Sequence, residues 1–297
     1  MSVTRLTCMN VVKKNKGYLF ILAILLFIIG LSFITINPHA FAFPVNIIIC
    51  FVSVYLSVLF GRLSESLRFF SSRKAVMTAF VCIILLMIMH WLFYHRRLFD
   101  GGFFPPALYD FSKSAMFVFA WMMFVVVLGA VIVRRLTLVK TNNQWFLLHH
   151  FGLWFALMTG FLGSTDSYTM YALLTKETST SYAYNKDGQA MQLPFQISLK
   201  EIRTEVDKSG AVAYYGATVK VKDEGKEKTK TIAVNHPYRC KGYDIYIMQV
   251  ANYRCKLQIV YDPWRYVVLL GILMMMAGAL GMFFKGFKMQ KQDDKLG

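Results

Sequence analysis

Two adjacent imidazoles, His149 and His150, lie near the start of the run WFLLHHFGLWFALMTGFLGSTD, Trp145 to Asp166. The run is apolar for the roughly 20 residues that a helix needs to cross a bilayer core. Imidazole at that depth costs free energy unless it finds a partner or a ligand, which makes an intramembrane histidine a functional hypothesis from the outset. Its neutral form is also a common metal ligand. Successive residues on a helix point about 100° apart, so the two rings address different surfaces. His149 shares a face with Gly152, Ala156 and Gly160, a small-residue stripe that lets a second helix or a flat macrocycle approach closely. His150 shares a face with Leu153, Trp154 and Leu157, which would line an apolar slot. The competing reading of either ring is a hydrogen bond to a neighbouring helix with no ligand involved.

Other groups capable of chemistry are sparser. His90 falls near the end of another apolar run and reads as an interfacial side chain or, less simply, as an exit-side ligand. His39 and His95 fall in expected loops, and His236 belongs to Asn235-His236-Pro237, a sequence that favours a turn. Met274 to Met276 are adaptable packing residues, and Gly271, Gly278 and Gly281 are positions for close helix approach. Among the five cysteines only Cys240 and Cys255 fall in the expected outer region, where a disulfide is permitted. Tyr243 to Val250 and Arg254 to Tyr261 read as hairpin arms turning near Asn252, which puts Cys255 opposite about residue 248. Cys240 then lies too far along the ladder for the Cα separation of under about 7 Å that a bridge tolerates. The sequence contains no CxxC, no phosphate-binding loop, no nucleophile–base arrangement and no Cys/His metal spacing.

The elements that must position the histidines are long apolar runs. With 56% apolar and only 16% charged residues, gathered into blocks, the chain reads as a polytopic membrane protein. Six candidate spans follow: Tyr18 to Ile36, Ala40 to Phe60, Ala75 to Tyr94, Ala115 to Val133, Trp145 to Gly163 and Tyr266 to Phe284. The net charge of +17 is distributed by loop. Lys13, Lys14 and Lys16 precede the first run; Arg62, Arg68, Arg73 and Lys74 follow the second; Arg134, Arg135 and Lys140 follow the fourth; Lys285, Lys288, Lys291 and Lys295 follow the last. The alternate loops are poorer, Arg96, Arg97 and Lys113 being offset by Asp100 and Asp110. Under the positive-inside rule both termini are cytoplasmic and the region after the fifth run lies outside. The basic excess is therefore a topology signal, and nucleic acid is not an expected partner. The first run exceeds a signal-peptide core and is expected to be retained; with no apolar run before Cys8, a lipoprotein reading fails. Reporter fusions after Ser167 are expected to read outside, and fusions after Lys140 and Lys288 inside; a cytoplasmic signal from the Ser167 fusion would overturn this topology.

The polar region reads as β structure. Phe195, Ile197 and Leu199 alternate with Gln196, Ser198 and Lys200, Val219 and Val221 with Lys220 and Lys222, and Leu257, Ile259 and Tyr261 with Lys256, Gln258 and Val260. Period-two patterning means a sheet with one wet face. Turn signals at Lys186-Asp187-Gly188, Ser209-Gly210 and Glu224-Gly225 suit an antiparallel sandwich or barrel. The expected fold is thus an α-helical membrane protein of about six spans with an extracytoplasmic all-β domain inserted between spans five and six. Its expected parts are a membrane domain at 1–163, the β-rich domain at 164–264, and a final span with a basic tail at 265–297. Trp264 and Tyr266 fall where aromatic rings sit at a membrane interface.

The order of a histidine-bearing span with a Gly-rich exit, a β-rich domain, the segment VNHPYRCKGYDIYI (Val234 to Ile247) and the segment YDPWRYVVLLGILMMMAGALGMFF (Tyr261 to Phe284) resembles the ResB/CcsB family of cytochrome c biogenesis proteins. The resemblance covers the chain from Trp145 onward; the four runs ahead of it are more than that family usually carries. It implies a subunit of a membrane cytochrome c synthetase that relays haem b outward for attachment to apocytochrome c. Haem would be held transiently by an axial histidine, with a CcsA/ResC-like partner supplying another ligand and a tryptophan-rich WWD segment that is absent here. The family pattern of a histidine just ahead of a Gly-Leu-Trp-like run fits His150 best, with His149 a close second; His90 stays a weaker candidate outside that pattern. The implied role is an accessory, non-catalytic one in the inner membrane. Two other classes stand beside it: a membrane b-type cytochrome in electron transfer, and a non-haem scaffold or sensor that recruits a partner through its outer domain.

Overall fold

The computed structural model describes residues 30–31, 33–62, 70–96, 113–138, 144–176, 178–206, 212–251 and 253–293. Most of the first apolar run therefore lies outside the described residues, as do Cys8, Arg68, Arg97, Asp100, Asp110, Lys140, Ser209-Gly210 and Lys295. The contact pattern divides the chain into a helical unit, residues 1–165 with 267–297, and a β unit, residues 166–266.

Among the described residues five helices are long and apolar enough to cross a membrane. They are α1 (Val45–Arg62), α2 (Arg73–Arg96), α3 (Ala115–Leu138), α4 (Gln144–Gly163) and α5 (Arg265–Asp293). The helix expected from Ala40 starts only at Val45, after a short 3-10 turn at Pro38–Phe41. Pro44 explains the delay, because the residue before a proline is steered away from helical geometry. At the other extreme α5 runs on to Asp293, past the end of the continuous apolar run at Phe284. Lysine is a good helix former, so the loss of apolarity marks where a bilayer would end and not where the helix must. For the same reason α2 extends to Arg96, and His95 belongs to a helix instead of the loop expected for it.

In the helical unit α3 is the central element, with Val125 and Ala130 fully buried. Small polar residues hold its neighbours. The Ser57 hydroxyl on α1 lies 3.2 Å from the Val126 carbonyl, the Trp154 indole N–H on α4 donates to the Val125 carbonyl at 2.9 Å, and the buried Asn46 amide donates to Thr165 Oγ1 at 3.2 Å. Each pairing satisfies a polar group that would otherwise be orphaned in apolar surroundings. By contrast α2 and α5 leave large side chains such as Met77, Leu85, Leu270 and Phe283 uncovered, as lipid-facing helices do.

The β unit is one antiparallel sheet of eight strands: β1 (Tyr168–Thr175), β2 (Ser179–Tyr184), β3 (Ala190–Val206), β4 (Val212–Asp223), β5 (Lys226–Ala233), β6 (Tyr238–Cys240), β7 (Tyr243–Ala251) and β8 (Arg254–Tyr261). Their order is β5-β4-β3-β2-β1-β8-β7-β6. The two edge strands are consecutive in the chain. Laid flat, eight strands would put them about 34 Å apart, seven spacings of about 4.8 Å. The chain from Ala233 to Tyr238 reaches only about 18 Å. The sheet therefore curls until its edges approach, and β5 lies close to both β6 and β7. Of the sandwich and barrel alternatives, the sequence has taken the nearly closed barrel.

The alternation read from the sequence puts the expected side chains inside: Phe195, Ile197, Leu199, Val219, Val221, Leu257 and Ile259 are buried in one cluster, which Leu174, Ile232 and Ile245 join. Burial of one such side chain is worth about 1.5–3 kcal/mol. Lys228 and Lys230 pair with Val221 and Val219 and so fall on the core face of β5, yet they stay exposed at this edge. Inward-pointing charges of this kind discourage another strand from adding.

The β7–β8 hairpin departs from expectation by two residues: Cys255 pairs with Val250, not residue 248, the turn being tighter and the register shifting between Ile247 and Gln249. Cys240 pairs with Tyr243 in the neighbouring β6–β7 ladder, at the opposite end of β7 from Val250, and both thiols are free. Burial pushes the Cys255 thiol up to about 12 and also raises that of Cys240, with Asp223 adding to the latter. A raised thiol pKa means less thiolate at every pH below it, so Cys255 is expected to resist iodoacetamide in the folded protein up to strongly alkaline pH. Denaturation without reductant should then expose both cysteines to alkylation. A mass spectrum retaining two unmodified cysteines after that step would reveal a bridge.

Candidate functional site

His150 sits in the second turn of α4, about 9 Å along the axis from Gln144. Its Nδ1 is 2.8 Å from the Phe146 carbonyl, and the two rings lie 3.9 Å apart between centroids. A carbonyl only accepts, so Nδ1 carries the proton and Nε2 keeps the lone pair. Beside the ring is a cavity of about 470 Å³. Val76 and Met77 of α2, Leu128, Val131 and Ile132 of α3, and Phe146 and Leu147 of α4 give it apolar walls. Arg73 and Arg135 complete the lining, with the Arg135 guanidinium 5.0 Å from the Phe146 ring centre.

His149 is turned the other way. Its Nδ1–H donates to the Met275 carbonyl of α5 at 2.9 Å. The small stripe it shares is filled by that helix: a Cβ on Gly152 would strike the α5 backbone at Gly271 and Met275, and one on Gly278 would strike the backbone of His149. Close approach is what glycine permits here. The two imidazoles are 5.2 Å apart and nearly perpendicular at 77°, so each serves a separate surface, as the helical angle requires.

The remaining expectations are distributed as follows. Trp154, grouped with His150 as a wall of its slot, packs instead against α3, because its indole N–H needs the Val125 carbonyl; the cavity by His150 is walled by α2 and α3 in its place. His90 stands on α2 thirteen residues beyond Met77, about 20 Å along the axis from the cavity, and is not brought to the histidine pair. His39 has a definite structural role, its Nδ1–H donating to the Thr165 carbonyl at 2.8 Å. His236 closes a turn through reciprocal backbone bonds with Ala233, and Asn235 takes the positive φ of 61° that asparagine tolerates. Arg73 and Arg135, which in the sequence read only as topology charges, are the cavity residues that pattern reading missed.

The β unit holds a polar cluster that the sequence reading also passed over. Asp244 is buried on β7, where its carboxylate accepts from Arg239 Nε at 2.7 Å and from Arg265. Arg239 donates onward to the Tyr266 hydroxyl at 2.6 Å, and Arg265 to the Gly242 carbonyl at 2.9 Å. Trp264 donates to Asp166 at 2.6 Å, tying the last residues of the unit to its first. A lone charged residue in a mostly apolar and aromatic strand was the available signal.

Residues 143–256 match the model of the ResB-like family. No curated protein matches the chain. Among solved structures it is similar to one described as "Cytochrome c Heme Lyase CcmF", at 12% identity and a TM-score of 0.35, over 68% of this chain and 33% of that one. The chain thus spans about a third of that protein's length.

Proposed function

Because the chain belongs, through residues 143–256, to the ResB-like family, we propose that it serves cytochrome c biogenesis as the haem-handling half of a membrane synthetase. Haem b is its cargo. The observation that carries this reading is the Nε2 lone pair of His150 beside an apolar cavity of about 470 Å³. That volume falls within the range of small-molecule pockets. Among the described residues no group of three or more His, Cys, Asp or Glu is arranged to hold a bare metal ion. Haem brings its own four nitrogens and asks the protein for one axial imidazole and an apolar berth, and both are present. His150 supplies the ligand, its ring held by the Phe146 carbonyl, while His149 fastens α4 to α5. A CcsA/ResC-like partner bearing the WWD segment gives a further ligand, and the β unit, extracytoplasmic in this reading, presents a surface to apocytochrome c. A b-type cytochrome in electron transfer would want a facing histidine at matched depth, and His90 is about 20 Å away along its helix.

Titrating the purified protein with haem while following the absorbance spectrum tests the proposal. Saturable uptake at one haem per chain, with the band of a histidine-ligated iron, is expected. A featureless, non-saturating titration would leave the scaffold reading in its place.

A further inference from the structure

The cavity beside His150 carries two positive charges for which an apolar berth has no use. Arg73 stands in the first turn of α2, where the helix dipole disfavours a cation, and Arg135 near the end of α3, where it favours one. Because α2 and α3 are successive spans, the start of one and the end of the other meet at the same end of the bundle, together with the first turns of α4. Among the described residues no carboxylate lines the cavity. Arg135 lies over the Phe146 ring, which in turn lies against His150, so one wall runs from a guanidinium through an aromatic face to an imidazole. His150 is about 9 Å in from the start of α4, deeper than helix-end arginines that extend toward the interface.

We propose that Arg73 and Arg135 bind the carboxylates of the ligand that occupies this cavity, and so select a porphyrin with free carboxylates and set the edge by which it enters. The assignment rests on the haem reading and gives it a chemical class. A planar guanidinium offers paired N–H donors that match a carboxylate, and in surroundings poor in water such a charge-assisted bond is strong. The flat, apolar body then lies along Phe146 with its metal toward Nε2 of His150, and the acidic edge stays at the mouth. An uncharged macrocycle of the same shape fills the same walls but leaves both guanidinium groups without an anion.

The test compares haem with its dimethyl ester by absorbance titration of the full-length protein, in its natural form and as Arg73→Gln, Arg135→Gln and the double variant. The natural protein is expected to bind haem about tenfold or more tighter than the ester, the factor that one charge-assisted bond gives. The double variant should bind haem at the level of the ester, keep the natural affinity for the ester, and retain the spectral band of histidine ligation. Arg135→Lys should restore only part of the preference. Equal binding of haem and ester by the natural protein, or an undiminished preference in the double variant, would overturn the arginine assignment and leave the haem reading standing. Loss of ester binding in the double variant would also overturn it, showing that the arginines hold helices together instead. Absence of saturable binding of either compound to the natural protein would overturn the haem reading, and this assignment with it.

Discussion

Replacing His150 by alanine is expected to leave the protein inserted in the membrane while lowering the haem that co-purifies with it on the order of 100-fold and stopping cytochrome c maturation. The insertion half of that expectation comes from geometry: the Nδ1 bond of His150 closes within its own helix on Phe146, and its ring borders a cavity, so little packing is lost. The haem half comes from ligand loss, since even groups that merely orient a metal ligand cost 10–100-fold on removal, and a ligand itself should cost about the upper figure at least. Added imidazole, free to enter the cavity, should restore part of the bound haem. His149→Ala is expected to behave differently. It removes the donor to the Met275 carbonyl and loosens the contact of α4 with α5, with a smaller effect on haem. Spectra and haem stains of the purified variants distinguish these cases. Unchanged haem and normal maturation in the double alanine variant would end the ligand assignment; dominance of His149 would move it to the α5 side.

The second large effect is expected in the β unit. Asp244→Ala should destabilise it by about 3 kcal/mol, at the lower end of the cost of breaking a buried ion pair. Asp244 is 8% exposed and Arg265 19%, so loss of the carboxylate leaves the Arg265 charge with little access to water. Arg239, at 56% exposure, is rehydrated readily, and Arg239→Ala is expected to cost only about 1 kcal/mol, the upper range for an exposed pair. Limited proteolysis of the full-length protein as a function of temperature, read at bonds within 166–266, measures both. Equal sensitivity of the two variants would show that Asp244 is not the centre of the cluster.

Where burial alternates with solvent, the sequence was legible. β3, β4 and β8 follow from residues such as Phe195, Ile197, Val219, Val221, Leu257 and Ile259, and the turn at Lys186-Asp187 is fixed by the Asn185 carboxamide oxygen, which accepts from Asp187 and Gln189. β1 has no such pattern, because exposed Leu173 lies between buried Ala172 and Leu174, and β5 has none because its edge position leaves Lys226 to Thr231 exposed on both faces. That the two imidazoles address different surfaces was legible from the helical angle alone. Their surroundings were not: the walls of the cavity come from α2 and α3, and the sequence does not state which face of one apolar helix meets which face of another. In the same way, Arg73 and Arg135 carry one visible meaning as topology charges and a second that exists only once two helix ends have been brought side by side.

The order of strands sets a timetable. β1 to β5 pair in chain order, and β6 to β8 do the same, but the joint between these blocks is β1 against β8, with Tyr168 opposite Tyr261. A ribosome adding about 5–20 residues per second makes β8 roughly 4–16 s after it has finished β1. Through that interval the first strand waits with one side unpaired, and the barrel stays in two pieces. Its completion coincides with the emergence of the final helix, so a chain cut short before residue 254 would leave the membrane half built and the β half unable to close. Truncation ahead of β8 is thereby turned from a local loss into a global one.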